Sequence, residues 1–365
     1  RSFIDVCVTA DGEESFRDTL LRRIGCPSTW DFSGIPGIAH WSKATGVLHW
    51  EASERKLGKD LDQYPSAYLT GQFDALLVER SEDKDWQAII ETNRGCPFPC
   101  AFCAWGRGGL WSKFRFHSME RVKAEVNWCG TNKISYLFNA DSNFGQHPRD
   151  LEIAEHLVET KKRTGFPEKF RTCFGKNTDE KIFKVATILH DAGMEKGITL
   201  ARQSNDEATL KNINRQNISL VTYRNLQTRF NERNIPVYVE LILGLPGETV
   251  ESWKKGIDDC LINAGGKNTL FIYLCQILPN TEMADPLYQV KHGIQTRRIK
   301  LQEIHGSRRG DDWVDEYEDI VTGTASMPHE QWREMVKFSW MTMLLHSMKD
   351  GYFVMSWLWD RFRIT

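Results

Sequence analysis

Residues 88–103 read Ala-Ile-Ile-Glu-Thr-Asn-Arg-Gly-Cys-Pro-Phe-Pro-Cys-Ala-Phe-Cys, a short apolar run followed at once by three cysteines. The run Ala88–Thr92 has the length and composition of a buried strand. Cys96, Cys100 and Cys103 follow on one tight loop, with three and then two residues between them. Three thiolates at this spacing can hold three irons of a cubane cluster. Because no fourth cysteine lies nearby, the fourth iron would keep an open position.

A zinc site is the alternative interpretation of this loop. Structural zinc sites take four ligands, usually as cysteine pairs two residues apart, and the loop does not supply that set. The other six cysteines are too scattered for the disulfide framework of a small secreted protein; they are Cys7, Cys26, Cys129, Cys173, Cys260 and Cys275. The pattern therefore favours a reducing, cytoplasmic compartment and one iron–sulfur site.

Strand-like runs and amphipathic helices alternate from Trp86 onward, which is typical of β/α units around a parallel sheet. Residues 182–189 illustrate the helices, since apolar side chains recur there at i, i+3, i+4 and i+7. The strand-like runs are Ala88–Thr92, Ile134–Asn139, Phe170–Phe174, Gly197–Ala201, Val237–Leu243 and Leu270–Ile277. Six such units predict an α/β fold with a partial (β/α)6 barrel rather than a closed barrel of eight strands.

The segments that flank this array have different patterns. A strand at Phe3–Val8 and a helix from Glu14 to Ile24 open the chain, and a linker rich in Pro, Gly and Trp follows. Residues 280–325 are polar and predict loops, whereas residues 328–362 predict one or two helices rich in Trp and Met. The predicted domains are 1–85, 86–280 and 281–365.

Composition argues against two classes of partner. The 365 residues are 41% hydrophobic and 26% charged, which is typical of a globular protein. The formal net charge of −2 gives no basic field for nucleic acid. The most apolar run, Val237–Leu245, is interrupted by Glu240 and is shorter than the roughly 18 residues that a membrane span needs. We therefore expect neither nucleic acid nor membrane as a partner.

The cysteine loop at the end of the first strand of a β/α array resembles the radical S-adenosylmethionine (SAM) superfamily over Ala88–Asn280. The resemblance implies a [4Fe–4S] cluster held by the three cysteines, with SAM on the open iron. Reduction then cleaves SAM to a 5′-deoxyadenosyl radical, which abstracts hydrogen from a substrate. The resemblance also implies that Phe102 packs on the adenine, and that an electron donor such as flavodoxin or ferredoxin serves the cluster.

The end of the second strand resembles a SAM-binding segment of the same superfamily. Residues 139–145 occupy the place of the superfamily's Gly-Gly-Glu motif, although the sequence differs from it. Asp141, with Asn143, is the candidate for the SAM amino group, since a carboxylate suits an ammonium. The alternative is that both residues only cap the following turn.

Later strands supply the remaining candidates. Gln203 and Arg215 resemble the superfamily's fourth-strand segment and are candidates for the ribose hydroxyls and the SAM carboxylate, with a position on the surface or barrel rim as the alternative. Glu240 lies inside an apolar strand and is expected to point into the barrel. Residues 240–248 resemble the superfamily's fifth-strand motif, which implies that the backbone at Gly244 approaches the adenine closely. Cys275 is a candidate radical or hydrogen-donor residue, although a buried structural thiol is commoner.

Residues 5–16 are similar to the last β/α unit of the Rossmann-like cobalamin-binding domains that precede the radical SAM core in one large class of the superfamily. The resemblance therefore implies cobalamin as a further cofactor. The Asp-x-His-x-x-Gly motif that would supply an axial histidine is not in this sequence. We expect it in a segment that precedes Arg1; the alternative is that this protein lacks the motif.

The resemblance implies cobalamin-dependent methyl transfer from SAM to an unactivated carbon of a small molecule. One alternative keeps the radical chemistry and omits methyl transfer, as in a cyclase, a rearrangement or an oxidation. The other is an iron–sulfur electron-transfer or binding protein without SAM chemistry.

Overall fold

The structure, a computed structural model, describes residues 4–9, 11–28, 30–43, 45–51, 58–81, 85–106, 112–175, 180–261, 268–301 and 315–362. Phe3, in the predicted first strand, lies outside these ranges. The chain divides into two compact units, residues 1–66 and 67–365. The three-domain division remains a prediction. No helix among the described residues has the length and apolar character needed to cross a membrane.

The first unit contains an antiparallel sheet and one helix. Strand β1 (Val6–Val8) and helix α1 (Gly12–Gly25) confirm the predicted strand and helix near the start of the chain. Strand β2 (Ile38–Trp41) pairs with β1 on one side and with β3 (Leu48–Trp50) on the other. A small core of buried side chains supports this sheet, formed by Phe32, Ile35 and Ile38.

The second unit is built on six parallel strands, which confirms the predicted partial barrel. The six parallel strands are β4 (Gln87–Ile90), β7 (Tyr136–Phe144), β8 (Lys169–Phe174), β9 (Ile198–Gln203), β10 (Val237–Leu243) and β11 (Thr269–Leu274). Two short antiparallel strands, β5 (Asn93–Arg94) and β6 (Arg115–Phe116), lie between β4 and β7 in the sequence. The parallel strands form two hydrogen-bonded groups, in the orders β4-β7-β8 and β9-β10-β11. β8 and β9 lie next to each other, so the six strands form one curved wall.

Helices cover the outside of this wall. They are α2 (Asp74–Val78), α3 (Met119–Thr131), α4 (Pro148–Thr164), α5 (Glu180–Asp191), α6 (Glu207–Asn212), α7 (Leu220–Glu232) and α8 (Val250–Leu261). Thr249 caps the start of α8, since its Oγ1 accepts a hydrogen bond from the Ser252 amide at 3.1 Å. One continuous core of apolar side chains joins α3, α4, α5, α7 and α8 to the strands.

Strand β10 shows how side chains divide between the two faces of the wall. Every second residue, from Val237 to Leu243, is buried in the core beneath the helices. The residues between them, Tyr238, Glu240 and Ile242, are partly exposed and face the other way, toward the barrel interior. The prediction that Glu240 points into the barrel is therefore confirmed.

The prediction that residues 280–325 form loops is wrong. They contain α9 (Pro286–His292), β12 (Gln295–Lys300) and β13 (Tyr317–Gly323). β12 and β13 pair antiparallel, and β13 adds to the barrel edge through the Val321 amide, which donates to the Cys275 carbonyl at 2.8 Å. The hairpin was missed because β12 reads Gln-Thr-Arg-Arg-Ile-Lys, without the apolar alternation of a half-buried strand.

The predicted C-terminal helices are present as α10 (His329–Thr342) and α11 (Tyr352–Phe362), joined through a π-helical turn. α10 docks on α8, where the Trp253 Nε1 donates to the Ser339 Oγ at 3.0 Å. α11 leaves Phe353 and Trp357 exposed. The aromatic residues of this region therefore divide between the barrel core and the surface.

Candidate active site at the cysteine loop

Two short paired strands, β5 and β6, hold the two ends of the cysteine loop together at the barrel. β5 and β6 form a two-residue antiparallel ladder that pairs Asn93 with Phe116 and Arg94 with Arg115. The His117 amide then donates to the Thr92 carbonyl at 3.1 Å. The chain between these strands is therefore closed at its base on the end of β4.

Ala101 fixes the middle of the loop. Its amide donates to the Ile213 carbonyl at 2.9 Å, and its carbonyl accepts from the Met283 amide at 3.0 Å. The Cys103 amide donates to the Cys100 carbonyl at 3.0 Å, which makes a tight turn. Because the loop is held at its base and its middle, the protein itself sets the positions of the cysteines.

Asp141, at the end of β7, holds the start of the loop. Its carboxylate accepts four hydrogen bonds, from the backbone amide and hydroxyl of Thr92 and from the amide and Nδ2 of Asn93. The side chain is fully buried. Burial raises the pKa of Asp141, and the hydrogen bonds oppose that rise. These contacts make Asp141 a residue that positions the loop.

The two polar residues after it reach the first cysteine. The Ser142 Oγ donates to the Gly95 carbonyl at 2.8 Å, and the Asn143 Nδ2 lies 3.2 Å from the Cys96 Sγ. Asn143 is 1% exposed, and its Oδ1 has no hydrogen-bond partner. An unpaired buried acceptor is costly, so this oxygen is suited to a donor on a bound molecule.

Arg215 reaches the second cysteine. Its Nη2 donates to the Ala201 carbonyl at 2.5 Å, its Nε donates to the Asn217 Oδ1 at 2.8 Å, and its side chain also hydrogen-bonds to Cys100. Burial lowers the pKa of Arg215, while Cys100 and Glu240 raise it. The guanidinium therefore places a positive charge against the cluster loop rather than on the surface.

Gln203 and Gly244 both lie where strands end and have positive φ. Gln203 has a φ of +65°, is buried, and leaves its Oε1 without a partner, so a second unpaired acceptor lies at the end of β9. Gly244 has a φ of +105°, and a Cβ there would lie 3.3 Å from the Cys275 Cβ. The close contact at Gly244 is therefore between its backbone and the Cys275 side chain of the same chain.

A small apolar cluster lies beside the loop. Phe102 packs against it, and Ile242 and Leu245 belong to it or line its edge. Cys275 is buried in the same cluster, and burial raises the pKa of its thiol to about 12. A neutral, enclosed thiol is typical of a structural cysteine.

The barrel interior below the loop is lined by inward-facing side chains that we call the inner wall. Its central members are Phe138, Arg171, Tyr238, Glu240, Ile242, Phe271 and Tyr273. Phe271 is 40% exposed and Tyr273 is 51% exposed, so aromatic surface is open to a ligand. Arg171 escaped the sequence analysis, although its alternation with Phe170 and Thr172 is a signal that could have found it.

The side chains around the cysteines suit an iron–sulfur cluster. The donors to Cys96 and Cys100 match cluster sulfurs, which accept hydrogen bonds. Among the described residues, no three His, Cys, Asp or Glu side chains come together as a site for one metal ion.

Known proteins resemble this chain in sequence. Residues 90–260 match the radical SAM superfamily. The 2-(S-pantetheinyl)-carbapenam-3-carboxylate methyltransferase of Streptantibioticus cattleyicolor is 36% identical over 350 residues. The cobalamin-dependent radical SAM methyltransferase TokK of Streptomyces tokunonensis is 36% identical over 346 residues. Each alignment covers 94% of this chain and 50% of the relative, so the chain spans about half the length of these relatives.

A solved structure shares the fold. The radical SAM methyltransferase TsrM of Kitasatospora setae, with cobalamin and a [4Fe–4S] cluster bound, superimposes with a TM-score of 0.57 at 17% identity. The match covers 80% of this chain and 56% of TsrM. The cysteine loop, the six-stranded partial barrel and these matches agree. The chain carries a radical SAM domain at residues 90–260, and cobalamin-dependent methyltransferases are among the proteins that it resembles.

Proposed function

We propose that this chain is the core of a cobalamin-dependent radical SAM methyltransferase that acts on an unactivated carbon of a small molecule. The observation that carries the proposal is a three-cysteine loop already held in place by the barrel, beside the unpaired buried acceptors of Asn143 and Gln203. Held by Cys96, Cys100 and Cys103, a reduced [4Fe–4S] cluster supplies the electron that cleaves SAM to a 5′-deoxyadenosyl radical.

The contacts suggest how the chain would divide the binding of SAM. Asp141 already accepts four hydrogen bonds, so we assign the SAM amino group to the Asn143 Oδ1 and leave Asp141 a positioning role. The Gln203 Oε1 is placed to accept from a ribose hydroxyl. Phe102 offers an apolar face to the adenine. Arg215, a buried cation, would attract the SAM carboxylate while it contacts Cys100.

Cobalamin dependence is supported by the relatives and by one surface of the first unit. Phe16, Leu20 and Ile24 are spaced four residues apart on α1 and are 59%, 42% and 72% exposed. Such an apolar stripe is typical of a helix that packs against another element. We propose that a Rossmann-like cobalamin-binding domain of the longer protein covers it, and that flavodoxin or ferredoxin supplies electrons in the cytoplasm.

The test is anaerobic reconstitution followed by product analysis. We expect about four irons and four sulfides per chain, and 5′-deoxyadenosine after reduction in the presence of SAM. Cys96→Ala should abolish both, whereas Cys7→Ala, which changes an exposed cysteine of the first unit, should change neither. A cluster without deoxyadenosine would favour an electron-transfer or binding protein.

Methyl transfer needs the longer protein loaded with corrinoid. SAM labelled in its methyl group should pass the label to a small-molecule product, and 2-(S-pantetheinyl)-carbapenam-3-carboxylate, named for one relative, is the first substrate to try. Deoxyadenosine formed together with an unlabelled product would contradict methylation. It would instead favour a cyclase, a rearrangement or an oxidation.

A further inference from the structure

We propose that Arg171 is the anchor for a carboxylate group of the substrate, so that the substrate is an organic acid with an apolar body. This inference rests on the proposed function, because it assumes that the inner wall receives the molecule that the radical attacks. The binding step itself involves no covalent change.

The direction of Arg171 follows from its strand. In β8 the residues Phe170, Thr172 and Phe174 are buried toward the helices, while Arg171 and Cys173 between them are exposed on the opposite face. Arg171 stands beside Phe138 in the register with β7. Its guanidinium therefore projects from the middle of the wall into the barrel interior.

A charge interaction across the barrel is consistent with this placement. Tyr273 lies on β11, in the other three-stranded group, and the positive charge of Arg171 still lowers the pKa of its hydroxyl against the rise caused by burial. Two residues on such distant strands can interact only through the space that the wall encloses. Arg171 and Tyr273 therefore face the same interior.

Arg171 differs from the other cations near the barrel in having no internal partner. Arg202 donates to the Asn205 side chain and the Ile218 carbonyl, and Lys169, on the same strand as Arg171, donates to the Gly193 carbonyl. Within the part of the chain that the structure describes, Arg171 makes neither a hydrogen bond nor an ion pair.

A guanidinium is planar and presents paired donors that match the two oxygens of a carboxylate. Phe138, Tyr273 and the exposed ring of Phe271 supply apolar surface around that point. Glu240, two residues from Tyr238 along β10, makes the opposite side of the wall unfavourable for a second anion. The wall thus suits one carboxylate attached to an apolar body.

The SAM carboxylate is the competing ligand for Arg171. Arg171 is the third of six residues in β8, whereas Asn143 and Arg215 contact the cysteine loop beyond the strand ends. A molecule held against the cluster by its amino and carboxylate groups therefore has Arg215 nearer than Arg171. The experiment below separates the two assignments.

The probe is 3-phenylpropionate, compared with its uncharged methyl ester, and binding to the reconstituted anaerobic protein is followed by calorimetry. We expect the wild type to bind the acid about ten-fold more tightly than the ester, which corresponds to about 1.4 kcal/mol. Arg171→Gln should remove this preference, and Arg171→Lys should keep part of it. Lys184→Gln, on the exposed side of α5, removes the same charge and should behave as the wild type.

Deoxyadenosine formation is measured in parallel without substrate. We expect it to be unchanged in Arg171→Gln. If that variant loses SAM cleavage together with the acid preference, Arg171 holds the SAM carboxylate and the inference is overturned. It is equally overturned if the wild type shows no preference for the acid, or if neither probe binds. Failure of the proposed function looks different, since deoxyadenosine would then be absent from the wild type as well.

Discussion

Hydrogen bonds to sulfur distinguish the three cysteines from one another. Asn143 donates to Cys96, and the cationic Arg215 donates to Cys100. Donors near cluster sulfurs stabilise the reduced, more negative state, and so raise the reduction potential. Neither contact follows from the sequence, because Asn143 is 47 residues from Cys96 and Arg215 is 115 residues from Cys100.

We expect Arg215→Gln to lower the reduction potential of the reconstituted cluster. The shift should be about 60 mV for each 1.4 kcal/mol of preferential stabilisation that is lost. An anaerobic redox titration followed by electron paramagnetic resonance measures it. Arg202→Gln is the matched control, since Arg202 is equally buried and donates only to groups away from the cysteines. An equal shift in both variants would contradict a specific effect of Arg215.

Glu248 gives a pH dependence of stability. It is buried and accepts hydrogen bonds from Ser204 and Ser252, yet burial raises its pKa above the usual value of 4.5. Because the folded pKa is higher than the unfolded one, the stability contributed by this carboxyl falls as the pH rises through the folded pKa. We therefore expect Glu248→Gln to gain stability relative to the wild type as the pH rises above 4.5, the usual pKa of the carboxyl. Urea unfolding measures this difference, and a constant difference would refute the prediction.

At the scale of single elements, Gly244 shows how closely the end of β10 packs. Gly244→Ala should destabilise the protein by about 1–3 kcal/mol from backbone strain, with a further cost from crowding against Cys275 and Val321. Gly165→Ala is the control, because Gly165 has a φ of +83° but open space around it. Thermal unfolding should show the larger loss for Gly244→Ala. Equal losses would mean that packing at Gly244 contributes nothing.

The contact between α8 and α10 can be measured in the same way. Trp253 is 1% exposed, and Ser339, which accepts its hydrogen bond, is buried as well. Ser339→Ala leaves the indole N–H without a partner and should cost about 1–3 kcal/mol. In a Trp253→Phe background the same change should cost less, since that donor is gone. Additive losses in chemical unfolding of the double variant would argue against this bond.

The sequence predicted the barrel elements better than the hairpin for a physical reason. β10 and α5 carry apolar periodicity because each packs one face on the core, and the predicted strand Val237–Leu243 has the bounds of β10. β12 forms because β13 lies beside it, and its residues are exposed apart from the partly buried Ile299. A strand that forms through pairing with a distant segment does not need an apolar periodicity in its own sequence.

At the scale of the whole molecule, the exposed apolar stripe of α1 (Phe16, Leu20 and Ile24) can be tested for whether it is packed within this chain. Leu20→Gln and Ile24→Gln change residues of this stripe that are 42% and 72% exposed, so each should alter stability by less than about 0.5 kcal/mol. Ile38→Gln, at a fully buried position in the same unit, should cost several times more. Chemical unfolding of the isolated chain measures these differences. A large loss for Ile24→Gln would show that α1 is already packed.

The three cysteines could be predicted from spacing alone, and the barrel from its periodicity. The resemblance supplied Asp141, Asn143 and Arg215 as candidates, but their contacts with the cysteine loop could not be predicted, because these contacts form only when the strands of the barrel assemble. Thr92 and Asn93, which donate to Asp141, carry no recognisable signal in the sequence. The same is true of Arg171, whose freedom from partners is a property of the folded chain.

The two backbone hydrogen bonds of Ala101 have a consequence for the state of the protein after a cluster is lost. They tie the loop to Ile213 and Met283 without help from iron, so the cost of ordering the loop is met when the barrel folds. Small zinc domains, by contrast, unfold when their metal leaves. A cluster destroyed by oxygen would here leave a folded cleft behind. Repair then requires new iron and sulfide, but no new folding of the chain.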